Sequence, residues 1–262
     1  MVQSIPGARE AAIEAALASG RILRAHFGQV RQIRHKGEID LVTEVDEASE
    51  AAVAGIIRAR FPHHRILAEE GSAGGDDPRF RWIVDPLDGT TNYAHGFPFF
   101  CVSIGLEVDG ELALGVIYDP LLDELFVAER GQGATINERP LAVSATSRVA
   151  DSLLATGFPY DRSQLGPALR QFALFSERAR AVRRVGSAAL ELAYVAAGRL
   201  DGYWERIINP WDIAAGLLIL QEAGGMATTL DGGPITPDSG QVLSSNGRIH
   251  AEMVALLATL GA

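Results

Sequence analysis

Residues 101–128 constrain the fold more tightly than any other stretch of the 262-residue chain. Val102, Ile104, Leu106 and Val108 recur with a period of two and share one face of an extended strand. Leu112, Leu114, Val116 and Tyr118 repeat the pattern on the next strand. Between them lies Asp109-Gly110, a strong hairpin signal, because a tight two-residue turn needs positive φ at both positions. Residues 125–128 add a third strand, and Gly131-Gln132-Gly133 turns the chain towards more. The stretch is therefore an antiparallel meander, which needs other layers to cover its apolar faces.

The flanking segments supply those layers. Ile13, Ala16, Leu17, Gly20, Leu23 and Phe27 keep helical spacing, predicting a helix over 8–27. A second helix fits 47–60, with Val53, Ile56 and Ile57 as its stripe and Phe61-Pro62 as its stop. Ile66-Leu67-Ala68 is a short strand running into Glu69-Glu70-Gly71, and 71–78 reads as a polar loop. Trp82-Ile83-Val84 is a buried strand ending at Asp85. Later helices fit 165–180, 187–197, 210–223 and 248–260, and strands fit near 152–156, 201–205, 226–229 and 242–244. The reading is α+β, with two packed subdomains, 1–147 and 148–262, meeting near 145–150.

Composition excludes several classes. Hydrophobic residues are 47% and charged residues 21%, a globular balance. Acids outnumber bases 33 to 23, giving a net charge of −10, which disfavours a general nucleic-acid or membrane-surface binder. Cys101 is the only cysteine, so one chain builds no disulfide and no thiolate metal site. The apolar run 213–220 is too short to span a bilayer, and the N-terminal residues lack a secretion-signal layout. The expectation is a cytoplasmic protein.

The chemically informative stretch is Trp82-Ile83-Val84-Asp85-Pro86-Leu87-Asp88-Gly89-Thr90-Thr91-Asn92. A buried strand delivers Asp85, and Pro86 fixes φ just beyond it. Asp88 then returns towards Asp85 with the Leu87 carbonyl between them, a donor set that hard divalent cations prefer. Gly89 permits close backbone approach, and Thr90-Thr91 opens a short helix whose free N–H groups suit phosphate. A lone pair of aspartates at this spacing would read as turn-formers, with Thr90 a helix cap. The strand before and Gly-Thr-Thr after favour a site.

Two other acidic places could join it. Glu69-Glu70 also sits at a strand end, although alone it would read as a solvated turn. Asp212 lies in Asn209-Pro210-Trp211-Asp212, where Asn209 caps a helix and an acid in its first turn suits the dipole. Asp46, in Asp40-Leu41-Val42-Thr43-Glu44-Val45-Asp46, reads as the N-cap of the second helix. Other chemistries are poorly supplied: no nucleophile elbow, no Walker A sequence, no dinucleotide fingerprint and no zinc spacing among the histidines. Ser187 reads as a helix start, His95 as structural, His63-His64 as an exposed turn, and Trp204 and Trp211 as core.

Four ordered motifs give the chain its resemblance: 40–46, Ala68-Glu69-Glu70-Gly71, 82–92, and Pro210-Trp211-Asp212-Ile213-Ala214-Ala215-Gly216. Over nearly its whole length the chain resembles the inositol monophosphatase family of Mg²⁺-dependent, lithium-sensitive phosphatases. The resemblance implies a layered αβαβα sandwich of the sugar-phosphatase type and a homodimer. It implies that Glu69, Asp85, the Leu87 carbonyl, Asp88 and Asp212 hold two to three Mg²⁺ ions, with Glu70 standing behind. Asp88, Gly89 and Thr90 would line the phosphate, and Glu205 and Asp212 would meet the substrate, Glu205 accepting its hydroxyls. Gly186, Ser187 and Ala188 would lie beside the sugar-like ring, and Lys36 near a mobile metal-site loop.

By the same resemblance, Glu69 and the Thr90–Asp46 pair orient and deprotonate the attacking water. The expected substrate is myo-inositol 1-phosphate or a similar small polyol phosphate. Alternatives are fructose 1,6-bisphosphate, histidinol phosphate, NADP and 3′-phosphoadenosine phosphate. A different class of reading is a metal-binding regulator with weak catalysis that acts through a protein partner.

Overall fold

The computed structural model describes residues 5–29, 33–35, 41–159 and 161–261. Among the described residues three sheets form. A small antiparallel pair joins β1 (Ile33–His35) and β2 (Leu41–Thr43). The large sheet holds β3 (His64–Ala68), β4 (Ser72–Ala73), β5 (Asp77–Asp88), β6 (Cys101–Val108), β7 (Glu111–Asp119), β8 (Glu124–Glu129), β9 (Ala134–Ile136) and β10 (Arg139–Pro140). Its order is β10-β9-β8-β7-β6-β5-β3-β4, with only the β3–β5 pair parallel. The third sheet runs β12-β11-β13-β15-β14, from β11 (Leu153–Thr156), β12 (Ala181–Arg183), β13 (Gly202–Arg206), β14 (Met226–Thr228) and β15 (Gln241–Ser245).

The meander forms as its alternation requires. Asp109 and Gly110 take φ of 52° and 82°, the double positive φ of a tight hairpin joining β6 to β7. Helices α1 (Ala8–His26) and α2 (Glu44–Arg60) cover one face of the large sheet, where Leu23, Val53 and Ile57 bury against Trp82, Ile104 and Val116. A short helix α3 (Thr90–Ala94) follows β5. Helix α4 (Leu165–Arg178), with α7 (His250–Ala258), covers the outer face of the third sheet, where Phe175 and Met253 pack on Trp204 and Leu243. Between the sheets lie α5 (Ala188–Ala196) and α6 (Pro210–Glu222), whose apolar side chains meet Ile83 and Ile117 on one side and Tyr203 and Val242 on the other. Three apolar cores thus fill the four interfaces of five layers, the αβαβα sandwich, the middle core lying on both sides of α5 and α6.

Helix α6 lies unusually close to the large sheet. A Cβ on Gly115 would stand 2.6 Å from the Ala215 carbonyl oxygen, and one on Gly105 would stand 3.0 Å from the Ala214 Cβ. Only glycine lets the backbones approach this far. Burial of Ile213, Leu218 and Ile219 fixes the helix there, each side chain contributing about 1.5–3 kcal/mol. The consequence is positional: Asp212, in the first turn of α6, is brought to the end of β5.

Several expectations are corrected. The loop expected over 71–78 contains β4 and the first residues of β5, because Ser72–Ala73 pairs as an edge strand with β3. Strand β5 does not end at Asp85 but continues to Asp88 through a bulge. Helix α2 starts at Glu44, not 47, so Asp46 lies inside the first turn rather than capping it. His64 is no exposed turn: it opens β3, stacks on Phe80 with centroids 4.1 Å apart, and accepts the Trp82 indole N–H at 3.1 Å.

Candidate active site

The site grows from the bulge in β5. Asp85 pairs with Ser103 and Asp88 with Cys101, so three steps on β5 oppose two on β6. The extra residue accommodates Pro86, whose missing N–H needs no ladder partner. The Pro86 carbonyl instead accepts the Ser49 hydroxyl at 2.9 Å and the Ser19 hydroxyl at 3.3 Å, so α1 and α2 both grip the turn. Asp85 closes it by accepting the Leu87 N–H at 2.9 Å. The two aspartates emerge buried, on the same side as α6.

Carboxylate oxygens of Asp85, Asp88 and Asp212 all lie within 4.8 Å of one another. Their hydrogen-bond donors are neutral. Asp88 accepts the Ser187 hydroxyl and the Ala189 N–H, each at 2.7 Å, and Asp212 accepts the Asn209 N–H at 2.8 Å. Burial, and for Asp85 the repulsion from Glu69, Asp88 and Asp212, pushes the acids up. Asp88 rises to about 6, and Asp85 and Asp212 rise well above the usual carboxylate range. Glu69, whose N–H bonds the Val84 carbonyl at 3.3 Å, stands close enough to raise both Asp85 and Asp212. Crowded carboxylates without a cation are costly. A hard divalent ion removes that cost, so the donor set fits Mg²⁺.

Thr90 connects this cluster to α2. Its hydroxyl lies 3.0 Å from Asp46 Oδ1 and 3.1 Å from the Leu87 carbonyl, and Asp46 is fully buried. The position inside the α2 turn, rather than at its cap, is what aims Asp46 at Thr90. Gly89 caps the start of α3 at φ 102°, with Phe99 and Phe100 too close to admit a Cβ without displacement.

The second half of the site faces this one. Asn92 donates to the Phe99 carbonyl at 2.7 Å and to the Val185 carbonyl at 2.9 Å, tying α3 to the 185–188 loop. Gly186, Ser187, Ala188, Glu205 and Asp212 line one cleft together with Asp88. Ser187 is buried, and its hydroxyl turns to Asp88. Burial lifts Glu205 to about 7, although the Tyr203 hydroxyl donates to it. A Cβ on Gly157 would overlap the Glu205 carboxyl group. Glu191, 1% exposed, also lines the cleft, and one of its carboxyl oxygens has no partner.

A sequence profile of the inositol monophosphatase family matches residues 8–261. The chain belongs to the inositol monophosphatase family. An inositol-1-monophosphatase of Synechocystis sp. is 49% identical over 252 residues, covering 95% of this chain and 88% of the relative. A Haemophilus influenzae protein named Nus factor SuhB is 44% identical over 249 residues, covering 93% of this chain and 92% of that protein. The solved structure of the inositol monophosphatase from Anabaena (Nostoc) sp. matches with a TM-score of 0.87 and 48% identity, covering 96% of this chain and 95% of that one. As an inositol monophosphatase family member the chain is a phosphatase, and that family is generally Mg²⁺-dependent.

The fold clusters Asp85, Asp88 and Asp212, sets Glu69 near enough to raise Asp85 and Asp212, joins Thr90 to Asp46 and the Leu87 carbonyl, and lines the cleft that Asp88 and Asp212 share with Gly186, Ser187, Ala188 and Glu205. Lys36 lies outside the described residues. Sequence reasoning gave no role to Asn92, Gly157, Glu191 or Tyr203. Asn92 ends the quoted motif and was within reach. The other three carry no local signal, since each matters only through a residue distant in the chain or through burial. No helix among the described residues is long and apolar enough to cross a membrane.

Proposed function

We propose that this phosphatase hydrolyses myo-inositol 1-phosphate or a closely similar small polyol phosphate, with Glu69, Asp85, the Leu87 carbonyl, Asp88 and Asp212 holding two to three Mg²⁺ ions. The carrying observation is the convergence of Asp85, Asp88 and Asp212 within 4.8 Å, beside a cleft floored by Glu205. Bound Mg²⁺ lowers the pKa of water and neutralises charge on the phosphoryl group and the leaving oxygen. Glu69 and Thr90 orient the attacking water, and Asp46 accepts the Thr90 hydroxyl proton's hydrogen bond and so fixes its direction. Asp88, through Ser187 and Ala189, is locked in one rotamer and aligns the phosphate with the Gly89 and Thr90 N–H groups. Glu205 accepts hydroxyls of the leaving polyol, while Asp212 and the 186–188 loop bound its ring. The active form is a cytoplasmic homodimer, testable by sedimentation.

The test is phosphate release from inositol 1-phosphate, fructose 1,6-bisphosphate, histidinol phosphate, NADP and phosphoadenosine phosphate at one Mg²⁺ concentration, with and without chelator. Inositol 1-phosphate is expected to give the highest kcat/KM and Asp88→Asn to remove at least 99% of it, about 3 kcal/mol of transition-state stabilisation. Near-normal turnover by Asp88→Asn refutes the ligand assignment. The relative named Nus factor SuhB favours a second reading, a partner-binding role alongside catalysis. Activity lost in Asp88→Asn while a captured protein partner is retained would support that role.

A further inference from the structure

Helix α5 buries an acid within an otherwise apolar run. Glu191 lies between Leu190 and Leu192, both fully buried, and is itself 1% exposed. A carboxylate withdrawn from water needs several donors or a cation held against it. Glu191 has a single donor: one oxygen accepts the Val185 N–H at a long 3.3 Å, and the other has no partner. The charged and titratable groups that face it are Glu205 and Tyr203 on β13, Asp88 on β5, and Arg184 in the loop that leads into α5. Arg184 is the one cation of that set, and it is exposed, so water screens it.

Glu205 is placed differently. It is half-buried, opens on the cleft and accepts the Tyr203 hydroxyl. Neighbouring buried acids do not both ionise; the one with a donor and water keeps its charge, and the one with neither keeps its proton. Burial first, and then the charge of Glu205, push Glu191 well above the usual carboxylate range. Glu191 also holds the loop beside the cleft. Val185 gives its N–H to Glu191 on α5, and its carbonyl accepts Asn92 on α3 at 2.9 Å. Two residues on, the Ser187 hydroxyl reaches Asp88.

We propose that Glu191 is a positioning residue for the leaving-group end of the cleft, a neutral carboxylic acid that anchors Val185 and leaves Glu205 as the one carboxylate of the pair to meet substrate hydroxyls. The neutral state of Glu191 does not depend on which ester is hydrolysed; its effect on KM rests on the polyol-phosphate reading.

The experiment uses the full-length chain in excess Mg²⁺ and two variants, Glu191→Gln, which keeps shape and neutrality, and Glu191→Leu, which keeps only bulk. Urea unfolding is measured first, at pH 5.5 and 7.5. An acid that stays protonated in the native state costs stability as pH rises, because only the unfolded chain releases the proton. Glutamine releases none in either state. The folding constant of Glu191→Gln relative to the unmodified chain should therefore rise at least tenfold over this window, the limit being about tenfold per pH unit. A smaller rise overturns the neutral acid. Kinetics follow at pH 7.5. Glu191→Leu should raise KM for inositol 1-phosphate at least fivefold with kcat within twofold, and leave p-nitrophenyl phosphate within twofold. Glu191→Gln should stay within twofold on both esters. An unchanged KM in Glu191→Leu, equal losses on both esters, or a Glu191→Gln as impaired as Glu191→Leu overturns the positioning role. The pH ratio needs neither turnover nor a folded Leu variant. Absence of inositol 1-phosphate turnover in the unmodified chain therefore overturns the polyol reading, while the ratio still decides the state of Glu191.

Discussion

Replacing Gly157 by alanine tests how the cleft holds Glu205. The added Cβ would stand only 2.0–2.3 Å from the carbon and both oxygens of the Glu205 carboxyl group, so the group must leave its position. Leaving breaks the hydrogen bond from the Tyr203 hydroxyl, worth about 1.5–3 kcal/mol when the acceptor is charged. Overpacking adds about 1–3 kcal/mol where the neighbours cannot give way. The summed loss of roughly 2.5–6 kcal/mol corresponds to a fall in Tm of about 2–4 °C per kcal/mol, readable by differential scanning. Kinetically, Gly157→Ala should act as a remote deletion of Glu205. We expect kcat/KM for inositol 1-phosphate to fall about 10- to 100-fold, the worth of one hydrogen bond between a charged group and a substrate hydroxyl. For p-nitrophenyl phosphate, which has no such hydroxyl, it should change less than threefold. The double variant Gly157→Ala/Glu205→Ala should be no worse on the polyol ester than Glu205→Ala alone, since the two changes remove one interaction. Equal losses on both esters, or additive losses in the double variant, would refute the reasoning.

Three further outcomes follow from the same geometry. Folding raises Asp88 from 3.8 to about 6, so the metal-free fold prefers the protonated acid; its contribution is complete below about pH 4 and is lost as pH rises through 6. The Tm of chelated protein should therefore fall across that window, and Mg²⁺ should restore it at pH 7 and above; a chelated Tm that rises over the window contradicts the assignment. Asn92→Ala removes the donation to the Phe99 carbonyl and the donation to the Val185 carbonyl that binds α3 to the 185–188 loop, and should cost about 1–3 kcal/mol in urea unfolding while lowering kcat for every ester tested. Arg81 bridges Glu107, at 2.6 Å and 8% exposed, and Asp238, at 2.6 Å and 54% exposed. Arg81→Met strands the buried Glu107 and should cost about 3 kcal/mol, whereas Asp238→Asn at the exposed end should cost under about 1 kcal/mol. Equal denaturation midpoints for the two variants would remove the distinction.

Elements whose cause is local were legible in the sequence. The Asp109-Gly110 hairpin follows from two positive-φ positions between alternating strands, and α5 and α6 end where Gly198 and Gly224 take φ of 68° and 87°. Elements defined by pairing were not. Strands β4, β10 and β12 are two or three residues long, too short to carry a period, and exist because a neighbouring strand supplies their hydrogen bonds. Pro86 looked like the end of a strand, yet it sits in a bulge within one, because α1 and α2 take up its carbonyl through Ser19 and Ser49. Asp46 reads as a cap because the apolar stripe of Val53, Ile56 and Ile57 marks only the middle of its helix, whose first turn begins at Glu44.

Residue type and spacing alone marked the Asp85–Thr90 turn as a place for cations and phosphate, because its donors lie within six positions and one turn orients them. Tertiary structure decided everything that depends on distance in the chain. It brought Asp212 to Asp85 across 127 positions by laying α6 on two strand glycines, and it placed Ser187 behind Asp88. It also made Gly157 obligatory for the sake of a carboxylate 48 residues later. Periodicity and turn chemistry act over a few bonds and are written in order along the chain, whereas a pocket is made by side chains whose only relation is that packing leaves them no other place.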